Sequence, residues 1–166
     1  MSRVLLAIDG DNCDRVMSRR KQFIDYGVLD DLVRANLGSE SDVHYFRTTK
    51  RSLNKAIVQE EVFARWQAAG FTIHRWADGH GGYPDSWLMG TIEAILGGYT
   101  AFVLTTADRD YLPLLGRAVD AGLAVGVISP QQVPWPNGIK AHTFDRLRQV
   151  RPQLLRTSRV TPLPVA

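Results

Sequence analysis

The sequence predicts an α/β fold in which helices are wound about a mainly parallel central sheet. Two observations carry this. Short continuous apolar runs, "RVLLAI" (3–8) and "AFVLTT" (101–106), have the profile of strands buried on both faces. Between such runs lie longer stretches with apolar residues at helical spacing, and that alternation implies parallel βαβ units in a doubly wound sheet. Internal repeats and low-complexity segments are absent from the sequence.

In chain order, the first strand (3–8) is ended by Asp9-Gly10. A helix follows over 28–37, where Val28, Leu29, Leu32, Val33 and Leu37 share a face and Gly38 is the stop. "DVHYFRT" (42–48) alternates like a strand. A long amphipathic helix is expected over 52–70, from a Ser52 cap to Gly70, and a strand over 71–76. A Gly-rich loop leads to a helix over 84–98, begun by Pro84-Asp85 and closed by Gly97-Gly98. Next come a strand at 101–106, a helix at 110–122 with Pro113 in its first turn, and a strand at 123–129. Residues 139–150 read as a weaker helix, or as a short helix plus an edge strand. One domain over 1–150 and a C-terminal tail over 151–166, loose in its last ten residues, complete the expectation.

With 45% hydrophobic and 22% charged residues, the composition is that of an ordinary soluble domain. No apolar run approaches a membrane span, no signal pattern opens the chain, and a lone cysteine, Cys13, excludes an intramolecular disulfide. A cytoplasmic protein with no membrane partner is expected. The net charge is +3, with clusters at Arg19, Arg20 and Lys21 and at Arg47, Lys50, Arg51 and Lys55. Such clusters suit a polyanion, and the second is the expected phosphate-holding segment.

The acids fall where an open parallel sheet binds ligands, beyond the carboxyl ends of its strands. Asp9 and Asp11 follow the first strand, Asp108 and Asp110 the fourth, and Asp85 begins the helix after the third. Singly, each has a local explanation as a helix cap or turn former. Together they would repel across one crevice, which a hard divalent cation, Mg²⁺ or Mn²⁺, resolves. Asn12 can add a neutral oxygen or an amide donor, and Thr106 can support the ligands or orient a water.

Other residues carry less. His44 and His74 lie in strands as packing residues, His80 sits in the loop before Asp85, and no His has zinc spacing with Cys13. "GHGG" lacks the Lys-Ser/Thr of a phosphate-binding loop. Trp66 and Trp87 read as core. Trp135, in "PWPNG", is either a packed loop anchor or a platform for a base.

"LLAIDGDN" resembles the opening of the NYN domains, an apolar strand running into Asp-Gly-x-Asn. "FVLTTADRDYLPLLGRAVDAGLAVGVIS" is similar to their Ser/Thr-Gly-Asp-x-Asp-aromatic signature, and "PDSWLMGTIEAI" to their Asp-started helix. The resemblance spans about residues 3 to 150. It implies a Rossmann-like three-layer α/β/α sandwich of the PIN-like kind and an Mg²⁺- or Mn²⁺-dependent ribonuclease. Asp9, Asp85, Asp108 and Asp110 would be the acidic residues of its site, and Asn12 comes from its first motif. The chain departs from the pattern in having "GYPD" for Lys-Gly-x-Asp, Thr91 and Glu93 near a second helix Asp, and Ala107 for Gly.

The expected reaction is hydrolysis of phosphodiesters in single-stranded or structured RNA by metal-activated water, with Asp9 and Asp108 as ligands and Asp85 and Asp110 as ligands directly or through water. Self-association is left open. So are two rival readings. One is a nuclease-like fold serving as an RNA-binding or regulatory module. The other is a phosphatase of the haloacid dehalogenase type, for which Asp9-x-Asp11 would carry an aspartyl phosphate but Cys13 stands near the place of a Thr.

Overall fold

A computed structural model describes residues 2–37, 40–48, 53–76 and 84–157, the side chains of 53–58 excepted. The elements are β1 (Arg3–Asp9), α1 (Gly10–Arg19), β2 (Phe23–Ile24), α2 (Tyr26–Leu37), β3 (Glu40–Thr48), α3 (Leu53–Ala68) and β4 (Thr72–Trp76). They continue with α4 (Pro84–Ile95), β5 (Ala101–Thr105), α5 (Leu112–Asp120), β6 (Ala124–Ser129), β7 (Lys140–Thr143), α6 (Phe144–Val150) and β8 (Leu155–Arg156).

Among the described residues the central sheet has six strands in the order β4-β3-β1-β5-β6-β7, every neighbouring pair parallel. The chain winds outward from β1 to β4, returns to the other side of β1 as β5, and winds outward again. Strand order therefore reverses between β1 and β5, the place where such sheets bind ligands.

β1 is apolar on both faces because both are covered. Val4, Leu6 and Ile8 pack with Cys13, Met17, Leu29, Phe63 and Phe144 in one layer. Leu5 and Ala7 pack with Leu88, Ile92, Leu114 and Leu115 in the other. Each fully buried aliphatic contributes about 1.5–3 kcal/mol relative to exposure. The result is the three-layer α/β/α sandwich expected from the sequence.

Two local expectations change, and between the two alternatives for residues 139–150 the structure takes the second. α1 starts directly after β1, where the sequence suggested only a turn. Residues 139–150 form the short strand and helix pair, because the Thr143 hydroxyl accepts the Arg146 N–H at 3.2 Å and starts α6 there. The packed chain also runs beyond 150: Leu154 and Leu155 are buried, and β8 pairs antiparallel with β2. A short turn over Pro152–Leu154 turns these leucines inward, so residues 152–156 belong to the fold rather than to the tail.

Candidate metal centre

Asp9 ends β1 and caps α1, which explains why an apolar strand runs into an acid. Its Oδ1 accepts the Asn12 N–H at 3.2 Å and its Oδ2 accepts the Thr106 hydroxyl at 3.0 Å. Thr106 Oγ1 in turn accepts the Asp108 N–H at 3.1 Å, while Asn12 Oδ1 accepts the Ala107 N–H at 2.9 Å. The ends of β1 and β5 are thus stapled together by polar groups. Burial raises the Asp9 pKa to about 6 against the pull of these donors, and the Asp11 and Asp85 charges push it further up. Among described non-glycine residues only Lys21 has positive φ, so Ala107 sits without strain where the NYN pattern has Gly.

Asp108 caps the turn over Arg109–Tyr111, its Oδ1 accepting the Asp110 N–H at 2.9 Å. That turn buries Tyr111, whose hydroxyl donates to Asp85 Oδ1 at 3.0 Å. Burial first, then the charges of Asp9 and Asp85, hold the Tyr111 phenol neutral and so fit to donate. Asp85 belongs to the first turn of α4. Oxygens of Asp85, Asp108 and Asp110 come within 4.8 Å of one another, Asp85 and Asp108 half-buried and Asp110 exposed. Three carboxylates without nitrogen or sulfur ligands match a hard divalent cation, so the donor set fits Mg²⁺ or Mn²⁺.

Asp9 stands outside this trio. It reaches the same crevice from behind, lining a cleft of about 30 Å³ with Asp11, Asp85, Trp87 and Tyr111. Asp11 turns toward β3, accepting the Thr48 N–H at 2.8 Å and lying 3.4 Å from Arg47 Nε.

Arg47 has a different role from the phosphate contact expected of it. Its side chain is 19% exposed and its Nη1 lies 2.5 Å from Asp14 Oδ2. Burial works against its charge, but Tyr45, Asp14 and Asp11 outweigh that and keep the guanidinium protonated. Asp14 also accepts the hydroxyls of Tyr26 at 2.7 Å and Tyr45 at 2.5 Å. Arg47 therefore neutralises two acids of α1 and is not available to a polyanion. Lys50 and Arg51 lie outside the described residues, as does the side chain of Lys55 and all of His80.

Near the place where the NYN pattern has a second helix acid, Thr91 of α4 donates to its own helix at Trp87 O, 2.8 Å away, and Glu93 pairs with Arg117. Cys13 is buried with its thiol 3.2 Å from Thr105 O, and burial raises its pKa well above the ordinary value. His44 Nδ1 and His74 Nε2 are 2.8 Å apart, and the His74 ring stacks on Phe46 at 4.3 Å. Sequence reasoning passed over Tyr111 and Asp14 as site-shaping residues. The aromatic that follows Asp108-x-Asp110 was the available signal for Tyr111. For Asp14 no local pattern announces a partner 33 residues away.

No family model matches the chain, and no curated protein matches it. Among solved structures, the chain is similar in fold to a protein of unknown function from Vibrio parahaemolyticus (TM-score 0.63, 15% identity), with 87% of this chain and 94% of that one covered. Among the described residues no helix is long and apolar enough to cross a membrane.

Proposed function

We propose that the chain is a divalent-metal-dependent ribonuclease of the NYN kind within the PIN-like nucleases. The observation that carries this reading is the convergence of Asp85, Asp108 and Asp110 at the reversal of strand order. Asp85, Asp108 and Asp110 would hold Mg²⁺ or Mn²⁺. When bound, the ion supplies an acidified water and stabilises charge on phosphoryl oxygens. Tyr111 orients Asp85 through its hydroxyl. Thr106 and Asn12 hold the end of β1 against the end of β5, which keeps Asp9 and Asp108 on one edge. Asp9, with a raised pKa, adds negative charge that a cation in the crevice would increase by favouring ionisation. Against the aspartyl-phosphate reading, Asp9 is 7% exposed with both oxygens already bonded.

The test is cleavage of a single-stranded RNA in metal-stripped buffer replenished with Mn²⁺. Wild-type protein is expected to cleave only with the metal. Asp9→Asn and Asp108→Asn should each lose roughly 10- to 100-fold of the rate while keeping the wild-type circular dichroism spectrum. Wild-type turnover by the Asp108 variant overturns the site, and metal-independent RNA binding without cleavage selects the binding-module reading.

A further inference from the structure

The carboxyl edge of the sheet continues past the acidic crevice. The ends of β6 and β7 open a second cleft of about 90 Å³, lined among others by Ser129, Gln131, Gln132, Trp135, His142 and Arg146. Among the described residues no carboxylate lines it. Asp145, the acid nearest in sequence, is held by Arg20 Nη2 at 2.7 Å, while Arg20 Nη1 donates to Pro130 O at 3.2 Å. That pair ties the loop after β6 to α1 and leaves Arg146 exposed, with no ion pair among the described residues. The Ser129 hydroxyl donates to Gln131 O at 2.6 Å and accepts the Gln131 N–H at 3.3 Å. The turn is thereby fixed from its backbone, and Gln131 and Gln132 remain exposed. Trp135 is half-buried and packs against the α4–α5 core layer, so its ring is anchored rather than free to swing.

We propose that this cleft receives a base of a single-stranded nucleic acid, stacked on Trp135, hydrogen-bonded by Gln131 or Gln132, with Arg146 neutralising the adjoining phosphate. The inference rests on the ribonuclease reading and extends it to how the substrate strand is held. An anchored indole offers a π-face to any base, and primary amides both donate and accept. An anchored aromatic face, amides and a single cation side by side match the base, its hydrogen-bonding edge and the phosphate of one nucleotide. Adjacent strands lie about 4.8 Å apart, so β7 is about 10 Å from β5 across the sheet. A strand seated at the acids can therefore continue into the cleft. Arg19 and Lys21, exposed at the end of α1, lie on the side that Arg20 joins to this loop and extend its positive charge. The phosphate track then runs toward β7, away from the inward-turned Arg47.

The experiment measures binding of a labelled single-stranded oligoribonucleotide in EDTA, by fluorescence anisotropy over a salt series, and its cleavage separately in Mn²⁺. Trp135→Ala should weaken binding about 10-fold and Trp135→Phe much less. Arg146→Gln, an exposed change that leaves the packing alone, should lower the salt slope by about 1. An abasic residue moved along the oligonucleotide should weaken wild-type binding at one position and have no further effect there on Trp135→Ala. Wild-type affinity and salt slope in both Trp135→Ala and Arg146→Gln overturn the subsite, even where Mn²⁺-dependent cleavage persists and the ribonuclease reading stands. Trp135-dependent binding without cleavage in Mn²⁺ supports the subsite and removes the ribonuclease reading instead.

Discussion

Asp85 sits in the first turn of α4, where the helix dipole already favours a carboxylate, and it accepts the Tyr111 hydroxyl as well. Charge and hydrogen bonding separate on substitution. Asp85→Asn keeps an oxygen for Tyr111 and loses the charge, so thermal stability should hold within about 0.5 kcal/mol while Mn²⁺ affinity by calorimetry drops roughly 10-fold or more. Unchanged affinity would leave Asp85 a purely structural acid. His74 offers a pH reading away from the acids. Burial first, then the neighbouring His44, lowers its pKa from 6.5 to about 4. A depressed histidine contributes stability that is full above 6.5 and is lost as pH falls through about 4. A proton NMR titration should show its imidazole still neutral at pH 5.5, and a midpoint above 6 would contradict the packing described. At this scale Asp9, Asp108 and Asp110 stood out in the sequence because strand ends announce themselves, and Asp85 because Pro84-Asp85 marks a helix start. Arg47 was misplaced because a cation's partner is set by tertiary contact, here Asp14 across 33 residues.

The junction of β1 and α1 leaves no room for a side chain at Gly10. A Cβ there would run into the ring of Tyr45, which is 1% exposed and hydrogen-bonded to Asp14. Gly-to-Ala in a helix ordinarily gains up to about 1 kcal/mol, but overpacking against a ring that cannot retreat costs about 1–3 kcal/mol. Gly10→Ala should therefore be destabilising in urea unfolding, and a stabilised variant would mean that Tyr45 is free to move. The long elements of the fold were legible because their apolar spacing repeats over several turns. α1 was not, since only Gly10, Cys13 and Met17 are buried along its ten residues and all of its remaining positions except Val16 are polar. β2 and β8, two residues each, are too short for any period to register.

The whole molecule depends on a segment that its composition assigns to a tail. Leu154 and Leu155 close the core layer that also holds Tyr26, Leu29 and Phe144. Ending the chain after 150 removes both leucines, a loss of about 3–6 kcal/mol, comparable to the full stability of many domains. A chain ending at 157 should melt cooperatively near the full-length temperature, whereas one ending at 150 should show a broadened, lowered transition by calorimetry; equal melting would mean β8 is dispensable. The alternation of strands and helices conveyed the three layers, but the β2–β8 pair joins residues far apart in sequence and depends on closure of the molecule. The central position of β1 has a further consequence, for synthesis. It leaves the ribosome before the other strands of its sheet, and its partner on one side, β5, is made some hundred residues later. At ordinary translation speeds that interval is roughly 5–20 s. During it, an apolar strand at the centre of the final sheet has one unpaired edge, which exposes the newborn polypeptide to mispairing until β5 arrives.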